Sequence, residues 1–282
     1  MKTRIITALA AACVFIAGLC GMFTPFYPCF VALICGIASF EIVRATGVKN
    51  TLLKVLSVVT SAAVPFVCFF YDKLPDIPLF PVATVYIALY LIIMVLSFKK
   101  TSFEDVLNSL FASFIIPFAF SCMIFIAKLY EYYPDKYTKA SCVYYTLFAY
   151  FCAWMSDIFA YFVGRKFGKH KLAPTVSPKK SIEGAVGGVI GAVLLNIALL
   201  AVFDKFFFET HHITYTEIII LTIFLSVMSI FGDLSASVIK RKHSIKDFGN
   251  ILPGHGGVMD RFDSCLFVLP LLYSGIIILN TV

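Results

Sequence analysis

Long apolar runs alternate with short polar connections along almost the whole chain. A helix that crosses a bilayer needs about 20 mostly apolar residues, and nine runs approach or exceed that length. They cover roughly residues 5–23, 27–45, 51–71, 79–98, 105–128, 141–164, 184–204, 215–240 and 260–280. The breaks between the first four carry the turn-forming residues Pro25, Pro28, Gly47, Pro75 and Pro78. The pattern predicts an all-α integral membrane protein, a polytopic bundle of about nine transmembrane helices.

Composition supports lipid as the solvent of this chain. Of its 282 residues 60% are hydrophobic and 14% charged, whereas soluble domains carry about 25% charged residues. The formal charge of +7 indicates anionic partners. No soluble basic domain is visible, so we exclude nucleic acid and expect lipid headgroups and nucleotide phosphates. The nine cysteines form no CxxC motif, and we interpret them as small buried hydrophobic residues.

Lysine and arginine divide unequally between the two ends of the predicted spans. Seventeen of the 23 lie in connections on one side and five on the other, and Arg261 falls inside the last span. The positive-inside rule then predicts a cytoplasmic N-terminus and an external C-terminus. We interpret 5–23 as a retained span rather than a cleaved signal peptide. By function we divide the chain into scaffold helices (1–103), a central helix with an outer loop (104–140), and a catalytic region with two basic cytoplasmic loops (141–282).

The stretch 237–263 differs in character from the apolar runs around it. It combines cations that can hold phosphates with carboxylates that can hold a hard divalent metal, and its four glycines allow tight turns. On the preceding helix Asp233, Ser237, Lys240 and Arg241 fall on one face. Asp233 lies eight residues before Arg241, which is about 12 Å below the membrane surface. An ionisable group at that depth indicates a functional site.

The spacing also predicts how the carboxylates of this region are arranged. Asp260 and Asp263 would share a face of the next helix. A helix–loop–helix hairpin would then bring Asp233 and Asp260 towards each other below the basic loop.

A second polar region runs from 154 to 188. Asp157 lies inside the sixth span, about 10 Å from its end at Gly164. The loop that follows is rich in Lys and Arg, and Ser177 to Ser181 place hydroxyls and amines at a helix N-terminus suited to phosphate. We favour substrate binding here over a solvated face that only attracts anionic lipid.

Three further features carry less chemistry. Glu41 is one of the few polar residues of the first four spans. Arg44, three residues later, can pair with it, and we favour this ion pair over a role for Glu41 in the functional site. Gly184, Gly187, Gly188 and Gly191 lack a following Gly-Lys-Ser/Thr, so they indicate close helix packing rather than a phosphate loop. We assign no metal to His211 and His212, since nothing else converges there.

The stretch 237–263 resembles the signature of the phosphatidate cytidylyltransferases, or CDP-diacylglycerol synthases. The matching residues are Ser237, Lys240-Arg241, Lys246-Asp247, Gly249, Leu252-Pro253, His255-Gly256-Gly257 and Asp260-Arg261-Phe262-Asp263. The same family has an Asp-x-x-Ala-Tyr-x-x-Gly-Arg and a Ser-Pro-Lys-Lys-Ser-x-Glu-Gly pattern, which begin here at Asp157 and Ser177. The resemblance covers about 154–263.

That resemblance implies CTP and phosphatidate as substrates and CDP-diacylglycerol and pyrophosphate as products. It also implies a homodimer, which the residues neither support nor oppose. The uneven distribution of Lys and Arg predicts that the signature faces the cytoplasm, and we expect a multi-pass protein of the bacterial cytoplasmic membrane. From the residues we expect one or two Mg²⁺ ions. The expected metal ligands are Asp233, Asp260 and Asp263. The expected catalytic groups are Asp233, Asp260, Lys240, Arg241 and Arg261. Expected substrate-binding residues are Asp157, Ser177, Lys179, Lys180, Ser181, Ser237, Lys246, Asp247, His255, Gly256 and Gly257.

Other functions remain open from the sequence. A cation-coupled transporter would also use intramembrane carboxylates, although the chain shows neither an internal repeat nor paired broken helices. A CTP-dependent lipid-alcohol kinase would use the same residue types and release CDP. A purely structural protein leaves the charged hairpin unexplained.

Overall fold

The computed structural model describes residues 2–74, 78–208 and 213–281. Pro75, predicted in a turn, and His211 and His212, to which we assigned no metal, lie outside the described residues. The helices and strands are α1 (Lys2–Cys20), α2 (Tyr27–Ala45), α3 (Thr51–Phe69), α4 (Leu79–Leu96), α5 (Phe103–Ala127), α6 (Lys139–Phe167), β1 (Lys171–Ala173), β2 (Ser177–Ser181), α7 (Ile182–Phe206), α8 (Tyr215–Lys242), α9 (Met259–Phe262) and α10 (Cys265–Thr281). Single helical turns cover Tyr71–Lys73 and Leu129–Tyr132.

Each predicted span overlaps a helix in the described part of the chain, although the last one, 260–280, is interrupted. Six helices there, α2, α3 and α5 to α8, are long and apolar enough to cross a membrane. Three shorter apolar helices, Ile6–Cys20, Phe80–Leu96 and Cys265–Asn280, match the remaining predictions. Large side chains such as Phe80 and Leu96 are more than four-fifths exposed, which is expected when lipid rather than water surrounds them. The prediction of an all-α polytopic membrane protein is confirmed.

The chain forms two compact units. The first comprises 1–124 and 242–261, and the second comprises 125–241 and 262–282. In the first unit α2 packs along α3, and Tyr27, Ile42 and Leu53 are buried between the helices. In the second unit α6 packs along α7, and Tyr144, Phe148 and Leu200 lie in the core.

Helix starts follow the polar residues that interrupt the apolar runs. Asn50 accepts hydrogen bonds from the N–H groups of Leu52 and Leu53 at the start of α3. Ser102 with Asp105, and Thr138 with Ser141, form capping boxes at α5 and α6. Ser181 caps α7 by accepting from the N–H of Gly184 at 3.1 Å. Such caps contribute about 1 kcal/mol each.

Two features depart from the predicted helices. Residues 165–183, predicted as a loop, contain the antiparallel hairpin β1–β2, with Lys171 opposite Ser181. The last predicted span, 260–280, is not one helix, because α9 ends at Phe262 and α10 begins at Cys265. The backbone of Asp263 and Ser264 passes so close to Gly232 that a Cβ there would lie 3.1 Å from it. The non-helical connection allows this approach.

Candidate active site

Three aspartates and two lysines from distant parts of the chain meet inside the second unit. We call them the carboxylate–lysine cluster: Asp157 on α6, Lys180 on β2, Asp233 and Lys240 on α8, and Asp263 between α9 and α10. The Lys180 ammonium is in direct contact with Asp233 Oδ2 and lies 3.8 Å from Asp157 Oδ1. Lys240 Nζ lies 3.6 Å from Asp263 Oδ2.

Close packing of α6 against α7 positions the first half of this cluster. A Cβ at Gly184 would lie 2.7 Å from the carbonyl oxygen of Ala160, and one at Gly188 would lie 2.6 Å from that of Ser156. Only glycine leaves room for the backbones at this separation, so the predicted packing role of these glycines is confirmed. Because β2 runs directly into α7, the same contact brings Lys180 to Asp157.

Polar contacts at one end of α7 hold the hairpin in place. Glu183 accepts hydrogen bonds from the N–H groups of Lys169 and His170, and its Oε1 lies 2.6 Å from His170 Nδ1. Arg241 Nε donates to the carbonyl of Val176 at 3.3 Å, which ties α8 to the turn of the hairpin.

Asp263 and Lys240 form the buried side of the cluster, each less than a tenth exposed. Asp263 lies in the connection before α10, outside the spanning helices. Burial raises the pKa of its carboxyl, the charge of Asp233 raises it further, and Lys240 opposes the rise. Ser264, which the sequence did not single out, donates from Oγ to Asp157 Oδ2 at 3.2 Å. Its position beside Asp263 was the only available signal.

The other predicted residues of the second unit occupy less central positions. Ser181 is buried as the helix cap. Ser177 is half-buried at the start of β2, and Lys179 is exposed. Ser237 is buried on α8, one turn from Asp233.

The signature loop, residues 243–258, lies in the first unit and is organised by Asp260. The carboxylate Oδ2 of Asp260 accepts from the N–H groups of Phe248 at 2.8 Å and Gly257 at 2.9 Å. Gly256 has a φ of +85°, and a Cβ there would lie 3.0 Å from the same oxygen. Both the conformation and the space favour glycine at this turn.

The remaining predicted residues of the first unit lie within this loop or next to it. Arg261 Nε donates to the carbonyl of His255 at 3.0 Å. Within the described chain, the buried Nδ1 of His255 has no hydrogen-bonding partner. Lys246 and Asp247 are exposed.

Glu41 on α2 contacts the same loop, which the sequence did not predict. It is 1% exposed, and its two carboxylate oxygens accept from the N–H groups of Val258 at 3.1 Å and Met259 at 2.8 Å. The guanidinium of Arg44, its predicted partner, lies over the ring of Phe40. The loop amides attract the carboxylate because they are unpaired donors in a buried place.

The structure therefore groups the predicted residues into two sets. Asp157, Lys180, Asp233, Lys240 and Asp263 meet in the second unit, whereas Asp260 joins the signature loop of the first. Asp260 and Asp263 have different partners and do not share one continuous helix, contrary to prediction. The convergence of Asp233 with Asp260 stays a prediction.

Comparison with known proteins bears on the activity of these groups. The model of the cytidylyltransferase family matches residues 2–279. The chain belongs to the cytidylyltransferase family. It is 34% identical over 282 residues to a phosphatidate cytidylyltransferase of Bacillus subtilis (strain 168), covering 97% of this chain and 96% of the relative.

Shorter matches point the same way. A phosphatidate cytidylyltransferase of Staphylococcus haemolyticus (strain JCSC1435) is 44% identical over 135 residues, covering 48% of this chain and 50% of the relative. One of Staphylococcus epidermidis (strain ATCC 12228 / FDA PCI 1200) is 36% identical over 180 residues, covering 64% and 66%. Family membership makes this multi-pass membrane protein a nucleotidyltransferase. The hydroxyl, ammonium and carboxylate groups of its site suit that chemistry.

Proposed function

We propose that this protein transfers the cytidylyl group of CTP to phosphatidate, forming CDP-diacylglycerol and pyrophosphate. The observation that carries the proposal is the match of nearly the whole chain to a relative with that name. The carboxylate–lysine cluster supports the proposal, because ionisable groups inside an apolar bundle typically bind a substrate or a cation.

The reaction joins a phosphate oxygen of phosphatidate to the α-phosphorus of CTP and breaks the bond from that phosphorus to the bridging oxygen of the β-phosphate. The attacking oxygen is already ionised at neutral pH, so the protein does not need a strong general base. The electron pair of the broken bond leaves with pyrophosphate. Positioning and charge stabilisation therefore carry the catalysis.

Individual residues can supply that stabilisation. Lys180 presents a partly exposed ammonium group that phosphate oxygens can approach, whereas the buried Lys240 adds positive charge behind it; each is already held by a carboxylate. Arg241 fixes the hairpin through Val176. The glycine-lined signature loop allows close approach of the backbone, and Arg261 and Lys246 add positive charge there.

Magnesium is part of the proposal. The donor chemistry fits a hard divalent cation, since Asp157 and Asp233 flank one ammonium group and Asp263 adds a third carboxylate. Among the described residues, no three His, Cys, Asp or Glu side chains stand close enough to ligate an ion as they are. Asp157, Asp233 and Asp263 would hold the ion, and the sequence-based assignment of Asp260 stays a prediction. A bound ion supplies charge neutralisation at the transferring phosphate.

The setting of the reaction completes the proposal. The excess of Lys and Arg supports a cytoplasmic position for the two basic loops, where CTP is present. The bacterial inner membrane is the setting that we propose. The homodimer implied by the family resemblance stays a prediction.

An assay with purified protein tests the proposal. Detergent-solubilised protein receives CTP labelled at the α-phosphate, phosphatidate and Mg²⁺, and the lipid phase is counted. We expect label in the lipid only when phosphatidate is present, and loss of turnover when EDTA removes the ion. Unlabelled lipid with intact CTP would contradict the proposed function, and turnover that is indifferent to EDTA would contradict the metal.

A further inference from the structure

A carboxylate from the N-terminal part of the chain reaches into the signature loop. Glu41 lies on α2, more than 200 residues before the loop amides that it binds. Each of its oxygens accepts one backbone N–H, Oε1 that of Val258 and Oε2 that of Met259. These two amides stand at the point where the loop enters α9.

Two glycines of the loop enclose this side chain. A Cβ added at Gly249 or at Gly257 would overlap the Glu41 carboxyl group. Gly249 lies near the middle of the loop and Gly257 near its end, so the carboxylate is packed between two separate parts of the loop. A residue needed only to neutralise the charge of Arg44 would not require this fit.

The same segment is held from inside by Asp260. That carboxylate binds the amides of Phe248 and Gly257, while Glu41 binds the next two, Val258 and Met259. Three consecutive amides, 257 to 259, are therefore fixed by two carboxylates. Their geometry sets the direction in which Asp260 and Arg261 leave the loop.

We propose that Glu41 is a positioning residue of the nucleotidyl transfer: it holds the signature loop in the shape that presents Asp260 and the loop backbone to substrate. This inference rests on the proposed function for its substrate. It goes beyond that function because it assigns a role to α2, a helix of the region that we interpreted from the sequence as scaffold.

The chemistry of the two hydrogen bonds predicts which Glu41 variant loses more activity. Glu41→Gln keeps nearly the same volume but has one oxygen, so its NH₂ group faces a second N–H donor and leaves that amide unpaired. Glu41→Asp keeps both oxygens and the charge but is shorter by one methylene. We expect kcat/KM for CTP to fall about tenfold or more in Glu41→Gln and by less in Glu41→Asp.

The experiment combines kinetics with amide exchange on the full-length protein in detergent. Wild type, the two Glu41 variants and the control Ser39→Ala are compared per mole of folded protein. Ser39 is also buried on α2, and within the described residues its hydroxyl has no hydrogen-bonding partner. Hydrogen–deuterium exchange of the peptide that contains 257–259 reports the contacts directly, whether or not the enzyme turns over.

A positioning role predicts faster exchange of 257–259 and reduced kcat/KM in Glu41→Gln, partial recovery in Glu41→Asp, and neither effect in Ser39→Ala. Folded Glu41→Gln protein with wild-type kinetics and exchange would overturn the inference. If Glu41→Gln does not fold, Glu41→Asp decides, and wild-type kinetics in that variant overturn it. Inactive wild-type protein would refute the proposed function instead, and the exchange comparison would still test the contacts.

Discussion

At the scale of single residues, the carboxylate–lysine cluster places opposite charges next to one another inside an apolar bundle. Removing one partner of such a set leaves a charge without compensation, which costs more than the pair itself contributes. The members with two roles, charge balance and substrate contact, are therefore the most sensitive to substitution. Asp233 is the clearest case, because its carboxylate contacts Lys180 directly.

We expect Asp233→Asn to lower turnover about 100-fold or more while the protein still folds, because the variant keeps the shape but loses the charge that would bind the metal. The labelled-CTP assay measures the loss. Asp135→Asn is the matched control, since Asp135 is an exposed carboxylate outside the cluster. Turnover of Asp233→Asn within threefold of wild type would remove Asp233 from the site.

Adjacent lysines of β2 offer a second comparison. Lys180 points to the cluster and Lys179 is exposed. Lys180→Met should lower kcat/KM about tenfold or more, because Asp157 and Asp233 then lose their shared cation. Lys179→Met should cost clearly less. Equal losses in the two variants would show that only the net positive charge of the hairpin matters.

Some of these residues could be predicted from the sequence and others could not, and each outcome has a physical reason. Asp157 and Asp233 were predictable because a carboxylate in the middle of an apolar span needs an explanation. Glu41 met the same criterion, yet Arg44 three residues later offered a local partner. Its true partners are backbone amides far along the chain, which carry no sequence signal.

At the scale of helices and strands, the spacing of small residues decides where the site groups lie. The contact between α6 and α7 depends on glycines whose Cα atoms face the carbonyls of Ser156 and Ala160. Packing of this kind replaces the hydrophobic effect as the source of helix association in lipid. The π-helical turn Phe151–Met155 ends two residues before Asp157, and such turns are frequent at functional sites.

Gly188→Leu should separate α6 from α7 and carry Lys180 away from Asp157. Overpacking of this kind costs about 1–3 kcal/mol, so we expect both a lower melting temperature in detergent and lower activity. Gly275→Ala on α10 is the control, because an added Cβ there meets nothing within 4 Å. An unchanged melting temperature in Gly188→Leu would contradict the packing argument.

Helix boundaries followed from the sequence more readily than the irregular segments. The length of the apolar runs located the spans, and the structure adds the caps Ser102 and Thr138 at the starts of α5 and α6. The hairpin 171–181 was missed because its strands are only three and five residues long and show no alternation of apolar and polar residues. The break at 263–264 was missed because it depends on the close approach of Gly232.

At the scale of the whole molecule, hydropathy predicted the polytopic helical architecture, since lipid requires every backbone group of a span to be bonded within its helix. The distribution of charge supplies one further prediction, the orientation.

Reporter fusions at the two ends of the chain check that orientation. A cytoplasmic N-terminus and nine crossings would put the C-terminus on the outer side of the membrane. A phosphatase that folds only on that side should then be active when it is fused after Val282. A fluorescent protein that folds only in the cytoplasm should be dark there and bright when fused before Met1. The reverse result would place the basic loops away from CTP.

The fate of the CTP phosphates tests the central claim most directly. Purified protein is supplied with phosphatidate, Mg²⁺ and CTP labelled either at the α- or at the γ-phosphate. Cytidylyl transfer predicts α-label in the lipid, γ-label in pyrophosphate, and loss of both in Asp233→Asn. Label from the γ-phosphate in the lipid, with release of CDP, would show a kinase and contradict the account.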